Sequence, residues 1–368
     1  MHQLGIENID LTSEQKLINP LVSVCILAYN QEGYIKEAIH NALLQTYLPL
    51  EIVISDDCSD DRTFQVIKET VKDYDGPHSV SINRNIENLG IAKHLEKAIE
   101  RCSGEWIIVC AGDDIPYIDR VQIIMSSVMD NKNIYAIGTA FEAINKDNYK
   151  LGEQYYNLNS LPEFKSHFFH GATAAYHRKC FTEFDKVSSG IMTEDVVFPF
   201  RALLLGGIII LNTVTLKYRY GDSNVSSGFY GSHDELLKKM IVIKKNCLKA
   251  YEQRIIDVDK AILNKFLKGE IICQIQKDII EGQKELDNLM IVDSFYENSS
   301  LSNFSRLLFT KINEHIFSDI IYKCKILLHK YFKFLIIIRR KIIGKPSIGF
   351  NKNFQKAESR IIRISDYL

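Results

Sequence analysis

No stretch of this sequence is long and apolar enough to span a bilayer. Ala202–Leu216, among its longest uncharged runs, is interrupted by Gly206, Gly207 and Asn212. No CxxC pair occurs among the 8 cysteines. Cys25, Cys58, Cys102, Cys110, Cys180, Cys247, Cys273 and Cys324 are scattered, several of them inside apolar runs. That spacing argues against a zinc site or a disulfide frame and reads as small buried hydrophobes in a reducing compartment. Net charge is nearly absent, −1 at pH 7, so no global field draws the chain to nucleic acid. The opening residues MHQLGIENIDLTSEQ have neither a basic n-region nor an apolar h-region, which argues against a secretory leader there.

What is present fits a soluble globular protein: 368 residues, 46% apolar and 25% charged, enough for one large core and a smaller second unit. Residues before Pro20 are polar and peripheral in character. Leu21–Ala28 is a continuous apolar run, the pattern of a strand covered on both faces. Glu32–Tyr47 follows with helical spacing at Ile35, Ile39, Ala42, Leu43 and Thr46. Glu51–Ile54 predicts a second strand, Arg62–Lys72 a helix and Ser79–Asn83 a third strand. Asn88-Leu89-Gly90 opens a helix reaching Arg101, and Trp106–Cys110 is the next strand. This alternation with short links predicts an α/β fold with a mostly parallel, doubly wound sheet.

Three of these strands end in polar clusters: Tyr29-Asn30, Asp56-Asp57 and Asp113-Asp114. In a parallel sheet such ends share one edge, where open α/β sheets bind ligands. Carboxylates are hard ligands suited to Mg²⁺ or Mn²⁺, and such ions bind phosphate in turn. An acidic turn exposed to water is the bland alternative for Asp113-Asp114 alone; convergence is what tips the balance.

The second half is less regular. Ile134–Ala143 reads as a strand leaving the first unit, and Asp147–Glu163 as a Tyr- and Asn-rich loop. In HGATAAY, His170–Tyr176, small residues fit either a close approach to a ligand or tight packing. Thr193 is placed to cap a helix over Val196–Leu205, interrupted or kinked at Pro199, with Glu194 and Asp195 in its first turn; capping electrostatics alone accounts for those acids. Ile208–Tyr220 reads as a strand pair. Residues 231–297 have the composition of long helices. In 298–368, Ile321, Cys324, Leu328, Tyr331, Leu335, Ile338 and Ile342 form one apolar stripe opposed by Lys and Arg, with no acid between Ile320 and Pro346. Such a helix over 321–345 suits an anionic membrane surface or a packed position with a solvated basic face.

The ordered series VSVCILAYNQEGY, EIVISDDCSDDRT, NLGIAKHLEKAI, GEWIIVCAGDD, HGATAAYHR, TEDVVFPFRALLLGG and YRYGDSNVS resembles the family 2 glycosyltransferases, inverting enzymes of GT-A fold. It covers Leu21–Ser227. The resemblance implies a GT-A domain (21–230); composition and patterning set beside it an N-terminal tail (1–20), a helical region (231–297) and a basic helical C-terminal region (298–368). It also implies a function: transfer of a sugar from a nucleotide-diphospho-sugar, UDP by default, to a hydroxyl of a glycan or lipid-linked glycan. The setting would be polysaccharide biosynthesis, such as capsule or lipopolysaccharide, at the cytoplasmic membrane face.

Carried over, Tyr29 would stack on the base, Asp57 would accept from base or ribose, and Asp56 would support that turn. Asn30 and Asn88 would belong to the nucleotide site, and Lys93 would meet the diphosphate as a point charge. Asp113 holds the divalent metal with Asp114 as helper, and Asp195 is the general base with Glu194 beside it. Two positions depart from the family pattern: Ala111 stands where an acid is usual, and Gly221 where a His often follows Tyr-Arg. His170 or His233 is then a substitute ligand, or Arg219 carries phosphate charge. A non-catalytic sugar-nucleotide-binding subunit is the alternative those departures motivate. A nucleotidyltransferase ranks below both, because AYNQEGY holds only Gly33 where a Gly-rich phosphate loop would be needed.

Overall fold

A computed structural model of the chain describes residues 19–159, 168–220, 233–263, 265–297 and 359–367. The expected alternation is present. Strands β1 (Val22–Ala28), β2 (Leu50–Asp56), β3 (Ser79–Arg84) and β4 (Trp106–Ala111) are separated by α1 (Ile35–Leu43), α2 (Thr63–Val71) and α3 (Ile91–Ile99). β1 pairs in parallel with β2 on one side and β4 on the other, and β2 pairs in parallel with β3. The apolar run of β1 serves two cores, as its period of two requires. Val22, Val24 and Ile26 face a cluster with α1 and α4 (Arg120–Met129), while Cys25 faces the cluster containing α3. The chain thus crosses to the other face between β3 and β4, and β1/β4 is the switch point where such sheets open a crevice.

Beyond β4 come β5 (Ile115–Pro116), β6 (Ala136–Ile144), β7 (Lys150–Gln154), β8 (Ala175–His177), the short α5 (Lys179–Thr182), α6 (Glu194–Leu205) and β9 (Ile208–Arg219). Two long helices, α7 (His233–Lys260) and α8 (Lys265–Glu297), follow, and β10 (Ser359–Ile362) ends the described chain with one 3-10 turn. The main sheet runs β10-β9-β6-β8-β4-β1-β2-β3.

Several expectations need correction. The strand expected to leave the first unit, β6, lies inside the sheet, because it pairs in parallel with β9 and antiparallel with β8. The expected loop over Asp147–Glu163 contains β7, hydrogen-bonded to β6. The expected strand pair over Ile208–Tyr220 is one twelve-residue strand. α6 runs unbroken through Pro199. Thr193 stands at its N-cap, but the hydroxyl makes no capping bond. Finally, the end of the expected basic helical region is β10, an antiparallel edge strand on β9 with Ile362 fully buried. The stripe Ile321–Ile342, the proposed membrane segment 321–345 and Gly221 lie outside the described residues, as do residues 1–18 of the tail.

Candidate active site

Register brings the polar strand ends together. Ala28 lies opposite Asp56 in β2, and Leu27 opposite Ala111 in β4, so Tyr29, Asp57 and the Gly112-Asp113 turn are neighbours. Gly112 fits tightly: a Cβ there would stand 2.5 Å from Gln31 Oε1. Tyr29 is 43% exposed, and its ring is available to a ligand. Asn30 is held in the left-handed region at φ 52°. Its N–H donates to Ser59 Oγ at 2.9 Å, and its Oδ1 accepts from the Asp60 N–H at 2.9 Å.

The two aspartates after β2 have separate partners. Asp56 is fully buried; it accepts from the Ser59 N–H at 3.1 Å and from the Ser59 hydroxyl, and Arg84 Nε lies 3.3 Å away. These contacts tie Asp56 to the turn after β2. Asp57 faces the Asn88-Leu89-Gly90 turn. It accepts from Asn85 Nδ2 at 2.8 Å, from the Leu89 N–H at 3.0 Å and from the Gly90 N–H at 3.0 Å. Asn88 Oδ1 also accepts from the Gly90 N–H at 3.0 Å. Asp57 therefore sets the turn that starts α3, and Lys93 sits in that helix's first turn, partly exposed. His94, one residue on, lies between Ser55 Oγ (2.9 Å) and Asp57 (3.9 Å); burial lowers its pKa despite the pull of Asp57 and Asp56.

The acidic turn after β4 is not an exposed loop. Asp114 is completely buried and Asp113 is 8% exposed. Asp114 Oδ1 accepts from the Arg219 N–H at 2.9 Å, while Oδ2 is buried without a hydrogen-bond partner. Burial, then the charge of Asp113, push the Asp114 carboxyl well above the usual carboxylate range, and the Arg219 N–H and the charges of Arg120 and Arg219 offset this only in part. Arg219 does not stand ready for a phosphate. Its guanidinium donates to Asp113 O at 2.8 Å, Asn145 O at 3.3 Å, Lys146 O at 3.2 Å, Asn148 Oδ1 and Glu37 Oε2 at 3.1 Å. It also lies over the Tyr34 ring. A fork with that many acceptors pins β9 to the acidic turn and to α1.

The second acidic pair reaches the same edge through the HGAT turn. β8 pairs antiparallel with β4, and the Val109 N–H donates to Ala174 O at 2.9 Å. Gly171–Thr173 therefore runs beside the carboxyl end of β4. Arg120, buried below, ties the two by donating to Val109 O at 2.9 Å and Ala172 O at 3.1 Å. Glu194 packs on Gly171, where a Cβ would stand 2.2 Å from Oε1. The small residues of this turn thus serve a close approach, but to a side chain of this chain. Burial and the adjacent Asp195 push the Glu194 carboxyl well above its ordinary range. Burial raises the Tyr156 and Tyr176 hydroxyls; at Tyr156 hydrogen bonds with His170 and Thr173 offset this and Asp195 adds to it, and at Tyr176 Glu194 and then Asp195 add to it.

The His170 ring makes edge contacts with Tyr218 (4.5 Å between centroids) and Phe141 (5.3 Å), and its backbone N–H donates to Tyr156 Oη at 3.0 Å. The side chain of His233 lies outside the described residues. Arg120, Tyr156 and Glu37 were missed in the sequence, since nothing local marks an isolated Arg, Tyr or Glu as the partner of a distant turn.

The residues present fit one kind of metal site. Among the described residues, no group of three His, Cys, Asp or Glu is placed to hold an ion. An ion that keeps waters and shares its shell with substrate phosphates needs only one or two carboxylates. Asp113, with the orphaned Oδ2 of Asp114 beside it, matches that requirement and not a closed protein cage. No described helix is long and apolar enough to cross a membrane.

Known proteins resemble this chain in sequence and in fold. A family model described as Glycosyl transferase family 2 matches residues 23–184. An uncharacterized glycosyltransferase of Haemophilus influenzae is 27% identical over 259 residues, 67% of this chain and 78% of that protein. Chondroitin synthase of Pasteurella multocida is 31% identical over 163 residues, 44% of this chain but only 16% of that protein. A mannosyltransferase of Pyrobaculum calidifontis, solved with GDP-Man and Mn²⁺, superposes with a TM-score of 0.53 at 15% identity over 79% of each chain, which shows a shared GT-A-like fold. The chain is a glycosyltransferase, and its residues 23–184 form a domain of glycosyl transferase family 2.

Proposed function

We propose that the chain transfers a sugar, with inversion, from a nucleotide-diphospho-sugar to a hydroxyl of a glycan or lipid-linked glycan during polysaccharide synthesis. The observation that carries this reading is the placement of one acidic pair at the end of β4 and of a second against the turn that runs beside that strand. Asp113-Asp114 lies at the end of β4, and Glu194-Asp195 packs on the turn that runs beside it. Single displacement at an anomeric carbon needs both: one site for the leaving diphosphate and one carboxylate for the acceptor proton.

In this reading Tyr29 stacks on the base, and Asp57 with the Asn88–Gly90 turn frames the nucleotide. Lys93 offers a point charge to the diphosphate. Asp113, assisted by Asp114, holds a divalent ion, which when bound offsets the charge on the leaving diphosphate. Asp195 takes the proton from the acceptor hydroxyl as that oxygen attacks. Burial pushes the Glu194 carboxyl up, which favours its neutral form beside Asp195. UDP is the default nucleotide. Mn²⁺ is supported by its presence with the mannosyltransferase of similar fold, and polysaccharide synthesis by the likeness to chondroitin synthase. A peripheral place on the cytoplasmic membrane face, through 321–345, belongs to the same reading.

Calorimetric titration with UDP, GDP and dTDP, each with and without Mn²⁺, tests the donor side. Metal-dependent binding of one nucleotide is expected; no binding of any would overturn the reading. On the acceptor side, Asp195→Asn is expected to abolish transfer while nucleotide affinity stays. Loss of both together would reduce Asp195 to a structural role.

A further inference from the structure

We propose that helix α7 is a positioning element for the acceptor base: Gln253 and Arg254 fix the segment 187–196 that delivers Glu194 and Asp195. This rests on reading Asp195 as the base, and it assigns a role to a helix beyond the end of the family match at residue 184.

The contacts lie along one side of α7. Asn246 Nδ2 donates to Met192 Sδ at 3.5 Å. Gly190, at φ 78°, comes so close to α7 that a Cβ there would stand 3.0 Å from Lys249 Nζ. Gln253 Oε1 accepts from the Ser188 N–H at 2.9 Å and the Ser188 hydroxyl at 2.7 Å. Asp257 accepts from Arg201 Nε at 2.9 Å and Nη2 at 3.0 Å, and from Gln253 Nε2 at 3.0 Å. Positions 246, 249, 253 and 257 are three or four apart and share a helical face. Arg254, next to that row, donates through Nε (3.0 Å) and Nη2 (2.8 Å) to the carbonyl of Val196, the residue after Asp195.

These are expensive contacts for simple packing. Gln253, Arg254, Asp257 and Arg201 are all at most 1% exposed. Apolar side chains of similar volume would hold two helices together at least as well as buried charges. What the polar set adds is direction. Two N–H groups of one planar fork meet one carbonyl, with the guanidinium held over Phe200, Phe168 and Tyr251. That carbonyl is one peptide from the base. A displacement of about 1 Å at a reacting group can cost on the order of 10²-fold in rate.

The test uses the full chain with Arg254→Met, Arg254→Lys and Gln253→Leu. Three quantities are read: amide hydrogen exchange over 187–200, Kd for UDP and GDP with Mn²⁺, and nucleotide release from UDP-N-acetylglucosamine and GDP-mannose. Arg254→Met is expected to speed exchange over 187–200 while β1 and β4 stay protected. It should lower kcat on the order of 10²-fold with nucleotide Kd unchanged, and Arg254→Lys should fall between. Unchanged exchange over 187–200 would overturn the proposal, and so would faster exchange everywhere with Kd and kcat lost together. Gln253→Leu, which nearly conserves volume, is read the same way if Arg254→Met does not fold. Full turnover in Asp195→Asn would overturn the base assignment instead and leave the exchange result standing.

Discussion

The carboxyl group of Glu194 rests on the backbone of Gly171, so close that a methyl group at 171 would stand 2.2 Å from Oε1 and 3.3 Å from Cδ. A turn beside β4 and a helix start beyond it therefore share one boundary, and changing either side of it has a defined consequence.

Gly171→Ala should displace the Glu194 side chain rather than unfold the domain, because the atom in the way is the end of a side chain. Overpacking of this kind costs about 1–3 kcal/mol. Thermal denaturation should show that modest loss, and turnover should fall far more than nucleotide affinity. Equal loss of both would mean that the turn serves the nucleotide pocket.

Glu194→Gln should make the protein more stable at neutral pH. A carboxyl raised above its unfolded value of about 4.3 binds its proton more tightly folded than unfolded. Its contribution to stability is present below that pH and is lost as pH rises towards the native value. The amide cannot ionise, so the variant should exceed the parent in Tm at pH 8 and converge with it near pH 4. A constant difference across that range would rule out titration as the cause.

Asp113→Ala and Asp114→Asn should separate ligand from anchor. Removing the Asp113 carboxylate is expected to abolish the effect of Mn²⁺ on nucleotide binding. Asp114→Asn keeps the oxygen that accepts the Arg219 N–H and replaces a carboxyl that burial already disfavours as an anion. Stability should therefore hold or rise, while Mn²⁺ dependence weakens without vanishing. Calorimetry and a melting curve on the two variants read both effects.

Arg219→Met should destabilise the chain by about 3 kcal/mol, because it strands the carbonyls of Asp113, Asn145 and Lys146. The Mn²⁺-dependent part of nucleotide affinity should fall with it, since the acidic turn loses its tie to β9. Urea denaturation gives the first quantity and titration the second. A variant as stable as the parent would show that those carbonyls find other donors.

Order along the chain was enough for the first half. Apolar runs such as VSVCILA and WIIVCA, polar ends and short links specify parallel strands and their common edge, because each signal is local and its period fits only one element. That Tyr29, Asp57 and Asp113 share one edge is therefore legible in the sequence. The later elements depend on partners far away in the chain. β6 enters the sheet because β9 arrives beside it, and β10 closes the edge from near the end of the chain. A strand pattern says nothing about which strand will lie alongside it. The site divides the same way. That acids stand at Asp113, Asp114, Glu194 and Asp195 is a matter of composition and spacing. Arg219 being enclosed by five acceptors, Asp114 being buried and Glu194 resting on Gly171 follow from packing between segments distant in sequence. Burial and distance, rather than residue type, decide which carboxyl is pushed towards its neutral form and which cation is already engaged.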